Sequence, residues 1–343
     1  MSGDEIIGAR ALREWITGER HHYSRVFFVD RNAPAHQVLA AAEGRDAVFL
    51  PDGSEPCETH AEVIRYGGGW DDVGDELFLG PHGVERQDYI AAAFVQMVGP
   101  IVVGFSDETS WRAFLDDAEL ARRTGVFPAA LLDARVLLAD RVALASPVAL
   151  MRPSAVRVRS DGRVSAGMQG EVVGAVTELP SLLAAALPGA ALVGGVMPRD
   201  RVLDDLRTRG WVGRYLTALE LMRTLSLAST DAAIAGFGWT PFDDGLCDAE
   251  PRTADPLLLE TGDGFLLADL TTRRRQLLSP DTARVVAVTQ TSSDTESAAA
   301  RVARQLEVPK SQALSLCLEA IDALGVHCGR RAVDSSSTTG AVR

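Results

Sequence analysis

Residues 256–288, PLLLETGDGFLLADLTTRRRQLLSPDTARVVAV, decide how the C-terminal quarter of this chain is read. The apolar run 256–260 predicts a short strand. It ends at Thr261, Gly262, Asp263 and Gly264, residues whose backbone freedom suits a hairpin turn. Residues 265–270 predict a second strand. Beyond Thr271 and Thr272, residues 273–278 predict a third, with Arg273, Arg275 and Leu277 on one face and Arg274, Gln276 and Leu278 on the other, because side chains alternate along a strand. Ser279 and Pro280 then combine an N-cap with a proline at the first helical position, so a helix is expected to run to about Thr289.

Two further helices are expected. Asp294 caps one that runs through Leu306, with Ala298, Val302 and Leu306 at spacings of four. The other, 310–324, carries Leu314, Leu318, Ile321 and Leu324 as a continuous apolar stripe, and Gly325 is its expected C′ residue. Cys317 lies close to that stripe and reads as a small core residue.

This order of three strands and three helices, with LLLETGDGFLLADLTTRRRQLLSPDTARVVAV at residues 257–288, resembles the PqqD-like RiPP recognition element. That element is a winged-helix module that binds the leader segment of precursor peptides in ribosomal natural-product pathways. The likeness covers about the last seventy residues, and in overall layout the chain is similar to the recognition proteins of daptide-type pathways. It implies a winged-helix βββααα module at 255–330, a precursor leader peptide and its modifying enzymes as partners, and neither cofactor nor turnover. The leader is expected to add as a strand along 273–278, with its apolar side chains in a cleft against the helix 310–324. Arg273, Arg274, Arg275, Gln276, Leu277, Lys310, Leu316 and Ala320 are the residues assigned to the peptide. Leu277 and Leu316 are chosen for the cleft because each lies off or beside the expected core stripe. Where the family often has an aromatic residue in the third strand, this chain has Arg274, Arg275 and Gln276.

Composition narrows the alternatives. At 343 residues, 46% hydrophobic and 24% charged, the chain has room for two or three domains and a sizeable core. Its formal charge of −13 argues against a phosphate backbone as the main ligand, since such binding is driven by Lys and Arg displacing counterions. Residues 256–328 hold seven basic and nine acidic side chains, so the module is acidic as well. No nucleic-acid or membrane partner is expected, and with neither a signal segment nor a long apolar run a cytoplasmic location is expected. Cys57, Cys247, Cys317 and Cys328 form no C-x-x-C pair and read as reduced thiols. Lys310 is the one lysine in the chain, which excludes a Walker A loop and leaves no credible internal-aldimine lysine.

The first 250 residues alternate strand and helix patterns, which predicts a mixed α/β N-terminal portion. Helices are expected at 4–17, 34–42, 87–97 and 109–124, and strands at 26–29, 47–50 and 101–105. A hairpin at 156–166 is followed by a strand at 171–177, then by helices at 179–187, 199–209 and 212–227. The expected division is an α/β domain at 1–150, a hairpin with helices at 151–245 that the same domain can include, the module at 255–330 and a disordered tail at 331–343. Residues 237–251, rich in Gly, Asp and Pro, read as the linker into the module.

Other chemistry-bearing residues have plainer readings. His21 and His22 are neighbours that regular structure cannot aim at one metal, so a surface or cap role is expected. Cys57 and His60 lack a second ligand pair, Gly67 to Gly69 lack the setting of a dinucleotide fingerprint and read as a loop, and Gly194 and Gly195 read as a turn. Asp243, Asp244, Cys247 and Asp248 lack the alternating oxygens of a calcium loop. The three-arginine run either contacts a ligand or protects an edge strand from unwanted pairing. Three functions therefore compete: a non-catalytic recognition protein, a peptide-modifying enzyme with a fused recognition element, and a winged-helix DNA-binding regulator, the last disfavoured by the acidic module.

Overall fold

An apolar side made of Ala11, Leu12, Trp15 and Ile16 folds Gly3–Thr17 into α1, which packs on one face of a sheet. Strand β1 (Arg25–Val29), helix α2 (Ala35–Ala41), β2 (Asp46–Pro51) and β3 (Glu62–Gly68) follow, the three strands pairing in parallel. Next come β4 (Glu76–Leu79), β5 (His82–Asp88), β6 (Ile101–Gly104), α3 (Glu108–Thr124), α4 (Ala129–Leu132), β7 (Val136–Leu138), α5 (Arg141–Ala145) and β8 (Leu150–Met151). They lead to β9 (Ala155–Val158), β10 (Arg163–Ala166), β11 (Val172–Ala175), α6 (Leu179–Ala184), β12 (Leu187–Pro188), α7 (Arg199–Arg207) and α8 (Val212–Thr224). The chain ends in β13 (Ala232–Ala235), β14 (Leu257–Thr261), β15 (Gly264–Ala268), β16 (Arg275–Leu278), α9 (Pro280–Gln290), α10 (Thr295–Leu306) and α11 (Lys310–Leu324). This computed structural model describes residues 3–55, 58–228, 232–235 and 239–331. The protein is mixed α/β, with a ten-stranded sheet and eleven α-helices among the described residues.

Two compact units divide the chain, one formed by Met1–Leu115 with Asp133–Arg209 and the other by Asp116–Leu132 with Gly210–Arg343. The first holds the large sheet, in the order β11-β10-β9-β1-β2-β3-β4-β5-β6-β7. Its central strands are covered on both faces, and alternation sorts their residues. Val26, Phe28, Ala47 and Phe49 pack with α1, where Trp15 stacks on Phe28 at 4.5 Å between ring centres. Phe27, Val29, Val48 and Leu50 share the other cluster with Val38 of α2 and Leu179 and Leu183 of α6. Because β9 pairs with β1, the hairpin expected after residue 151 belongs to the same sheet as the N-terminal strands.

Two expectations for this unit are corrected. No helix forms at 87–97: Gln87 and Asp88 pair with Val103 and Gly104 as the end of β5, and only a 3-10 turn, Ala91–Ala93, follows. Phe94 is 86% exposed while Tyr89 and Ala92 are buried, so the apolar residues of this segment do not share one helical face. Gly67 and Gly68 are not a loop either but the end of β3, paired with Phe78 and Leu77. Gly68 has φ +78°, and a Cβ there would lie 1.9 Å from the Glu76 carbonyl oxygen, so the glycine serves close strand approach rather than ligand binding.

In the second unit β13, β14, β15 and β16 form an antiparallel sheet in that order, with α9, α10 and α11 packed on one face. The expected order of three strands and three helices is present, and Ser279 and Asp294 cap α9 and α10 by accepting from the Thr282 and Ser297 amides. Strand β13, absent from the sequence reading, covers the far edge of β14 and buries Ile234 completely. Arg214 of α8 is fully buried and donates to the carbonyls of Arg252, Asp255 and Pro256, fixing the entry to β14. The segment read as a linker at 237–251 is, over its described residues, a packed strap. Phe242 lies 5.1 Å from the Phe265 ring, and Asp244 is paired with Arg301 of α10. The expected tail, from residue 332 on, lies outside the described residues.

Candidate functional site

The third strand of the C-terminal sheet is shorter than the sequence predicts. Arg273 adopts φ +57°, and the Asp269 carboxylate accepts from the Thr271 and Thr272 amides, so a turn occupies 269–274 and β16 starts at Arg275. Its four residues pair antiparallel with β15, Arg275 to Ala268 through Leu278 to Phe265. Among the described residues no strand pairs with its other side, so β16 is an edge with backbone donors and acceptors directed outward.

Alternation then decides which side chains face the helices. Leu278 packs against the core cluster of α9, α10 and α11, and Gln276 shares its face, half-buried. Arg275 and Leu277 project from the opposite face, and Leu277 is 76% exposed. Leu277 therefore does not enter a cleft against α11, as the sequence reading had it. It is an unpaired apolar side chain on the outer face of the edge strand.

A cavity of about 240 Å³ opens where the three C-terminal helices meet. Asp281, Thr282 and Val285 of α9, Leu306 of α10, and Leu316, Glu319, Ala320, Ala323 and Leu324 of α11 line it. No residue of β16 is in this lining, and the strand is linked to it through its flanks: Asp281 follows Leu278 by three positions, while Arg274, before the strand, donates from Nη2 to the Ala323 carbonyl at 3.5 Å. The space exists because α11 turns small residues to the core. Ala313, Cys317 and Ala320 are buried, which brings α11 close to its neighbours, whereas Leu314 and Leu318 are 38% and 46% exposed. The stripe read from the sequence as the core side is thus rotated from the true one. Its i, i+4 logic instead places Leu316, Ala320 and Ala323 along the cavity.

The assigned residues divide accordingly. Arg274, Leu316 and Ala320 come together at the cavity, and Gln276 faces the same side of the sheet. Arg273 and Arg275 are exposed at the start of the strand. Lys310, at the opposite end of α11, does not line the cavity and pairs with Glu296 of α10 at 2.9 Å. Asp281, Val285, Leu306, Glu319, Ala323 and Leu324 escaped the sequence reading because the cavity depends on where three helices meet.

The other candidates resolve structurally. The buried Glu14 carboxylate accepts from the His21, His22 and Tyr23 amides and bonds the His22 ring at 2.8 Å, so the histidine pair is fastened to α1 as a turn. Cys57 lies outside the described residues. Gly195 sits where a Cβ would lie 2.6 Å from two carbonyl oxygens, in a tight turn. Asp243, Asp244 and Cys247 gather closely enough for a cation, but the buried Arg301 guanidinium already supplies one. It grips Asp244 through Nε and Nη2 at 2.9 and 2.8 Å, reaches Cys247 Sγ at 3.4 Å, and donates to the Thr291 carbonyl and Ser292 hydroxyl. That arrangement holds Asp244 below the usual carboxylate range against the opposing effect of burial. Asp248 accepts from the Ser293 amide and hydroxyl.

No protein-family model matches the chain, and neither a curated protein nor a solved structure matches it. Among the described residues no helix is long and apolar enough to cross a membrane.

Proposed function

We propose that the chain is a leader-peptide recognition protein of a ribosomal peptide natural-product pathway, in which residues 255–330 act as a PqqD-like winged-helix module. The observation that carries the reading is the open edge of β16 together with an apolar cavity of about 240 Å³ between α9, α10 and α11, whose Ala323 wall Arg274 reaches. A peptide pairing with that edge gains main-chain hydrogen bonds, and alternate side chains fall on the two faces of the extended sheet. Those on the Gln276 and Leu278 face meet the cavity. Those on the other face lie beside Leu277, whose exposure is then relieved.

Charge supports the same occupant. Arg273, Arg274 and Arg275 are exposed at the start of β16, whereas Asp281 and Glu319 rim the cavity. This mixture suits a peptide with acidic residues toward the arginines and disfavours a duplex, whose phosphates repeat one sign of charge. In this reading the protein has no turnover of its own. It works in the cytoplasm by holding the precursor near its modifying enzymes, where tethering supplies millimolar effective concentration.

The test is titration of the full-length protein with synthetic leader peptides of short precursors sought among the genes neighbouring its own, by fluorescence anisotropy. Micromolar binding that Ala323→Phe weakens supports the proposal. Tight binding of duplex DNA at physiological salt, with none of the peptide, replaces it with the regulator reading. A mass change in the precursor produced by this protein alone replaces it with the enzyme reading.

A further inference from the structure

We infer that the first unit carries a second, independent binding site, for a ribonucleoside 5′-monophosphate, outside the carboxyl ends of β1 and β2. A cavity of about 610 Å³ lies there, within the roughly 300–1,000 Å³ of small-ligand pockets. Val29 at the end of β1 and Leu50 and Pro51 at the end of β2 lie at its base, the loops after them form two walls, and His36 and Leu39 of α2 complete it. Strand β1 runs parallel to both β2 and β9, and the crevice outside the carboxyl ends of such strands is where open α/β sheets bind ligands.

The lining separates polar groups already engaged from those that are not. Asp30, after β1, is taken by Arg157 of β9, which grips both its oxygens at 2.9 and 3.0 Å and also reaches Asp71 at 2.5 Å. Burial pushes the Asp30 carboxyl up and the guanidinium pulls it back, so this pair is a fixed floor. The side chains of Arg31, His36 and Asp52 also line the cavity, and among the described residues none of the three has a hydrogen-bond or ion-pair partner. The loop carrying Asp52 is nonetheless held in shape. Ser54 donates from its amide and hydroxyl to the Pro51 carbonyl at 3.1 and 2.7 Å, and Arg65 reaches the Glu55 carbonyl at 3.3 Å. A ligand there does not have to order the loop first.

Three features then select the ligand. Asp52 offers two acceptor oxygens and no donor at the end of the strand next to β1, which suits the adjacent hydroxyls of a ribose. Val29, Leu39 and Leu50 present an apolar wall to a planar base. Arg31 supplies a positive fork of hydrogen-bond donors for a single phosphate, and His36 adds a ring N–H beside it. The loop between β1 and α2, DRNAP at 30–34, has no glycine to let its backbone wrap a diphosphate, which favours a single phosphate on that side.

The experiment is isothermal titration of the full-length protein with AMP, GMP, CMP and UMP, each beside its 2′-deoxy form and its nucleoside, repeated with Asp52→Asn and Arg31→Gln. Both side chains are exposed, so thermal melts of the variants are expected to overlay the parent. Expected is binding of at least one monophosphate at sub-millimolar concentration, about tenfold tighter than its deoxy form. Asp52→Asn removes the ribose preference and Arg31→Gln removes the preference for monophosphate over nucleoside. Failure of all four to bind at millimolar concentration overturns the inference. So does binding that neither variant weakens, or binding that inorganic phosphate alone competes away in full. None of these outcomes bears on the β16 edge, because leader binding is read separately.

Discussion

Ala323→Phe tests the peptide site without touching the core. Ala323 is exposed on α11 and lines the cavity between α9, α10 and α11, so the larger side chain can enter the cavity while the helix keeps its packing. The space is about 240 Å³, enough for one or two apolar side chains of a bound peptide, and an aromatic ring supplied from within displaces at least one. Each apolar side chain so displaced forfeits roughly 1.5 to 3 kcal/mol, which is about a tenfold to a hundredfold loss of affinity. Leu277→Ala, on the opposite face, removes only cross-strand contact, expected at roughly 0.2 to 1 kcal/mol, or less than about sixfold. Anisotropy titrations of a labelled leader peptide give both numbers, and thermal melts report folding. If Ala323→Phe binds within twofold of the parent while remaining folded, the cavity is not where the peptide anchors. If Leu277→Ala is the more damaging of the two, the peptide lies on the outer face.

Reversing charge at Arg273 and Arg275 together, to Glu, is expected to weaken leader binding and flatten its salt dependence, since exposed pairs are screened over about 8 Å at physiological ionic strength; unchanged affinity and salt response return the run to edge protection. Arg214→Ala strips charged donors from three backbone carbonyls at the entry to β14, an expected cost on the order of 3 to 5 kcal/mol in urea unfolding, and a cost below about 1 kcal/mol refutes the clamp. Asp140 is fully buried, accepts from the Met168 and Gln169 amides, and has its pKa pushed up to about 7 by burial. Because the unfolded carboxyl ionises near pH 3.9 and the folded one near 7, the folded state holds the extra proton between them. This group's contribution to stability therefore falls as pH rises through that window and is level above it, by up to about 4 kcal/mol. Asp140→Asn removes that slope, so the stability of the parent relative to the variant, measured by urea unfolding from pH 4 to pH 8, is expected to fall with rising pH; a pH-independent difference refutes it.

The legible parts of this chain are those where local chemistry acts alone. Ser279 before Pro280, Asp294, and Gly325 each mark a helix end through a hydrogen bond or backbone conformation within a few residues, and all three sit at the ends of α9, α10 and α11 as read. The side of α11 that faces the core was not legible, because it turns on close approach. Small Ala313, Cys317 and Ala320 let α11 approach α9 and α10, and the larger Leu314 and Leu318 are left outside, against the rule that the most apolar residues point inward. Helix 87–97 failed for a related reason: its apolar residues had a plausible helical spacing, but Gln87 and Asp88 were already committed to pairing with β6. The candidate site inherits the same split. Its arginines and its edge strand follow from local sequence, while the cavity wall contributed by Val285 and Leu306 depends on tertiary packing.

The shortness of β16 assigns the work between edge and cavity. Four residues offer an added strand only a few main-chain hydrogen bonds, each contributing a net of roughly 0.5 to 1.5 kcal/mol and bonding almost any sequence alike. Ordering a flexible peptide offsets much of that gain. An edge guarded by Arg273, Arg274 and Arg275 also resists indiscriminate pairing, since charges there discourage a neutral apolar strand. Discrimination must then come from the side chains that alternate into the cavity, and the arginine run reinforces it by favouring strands that carry acid. Under the proposed function, edge protection and ligand choice are the same property of this strand, and the arginine run need not be assigned to only one of them.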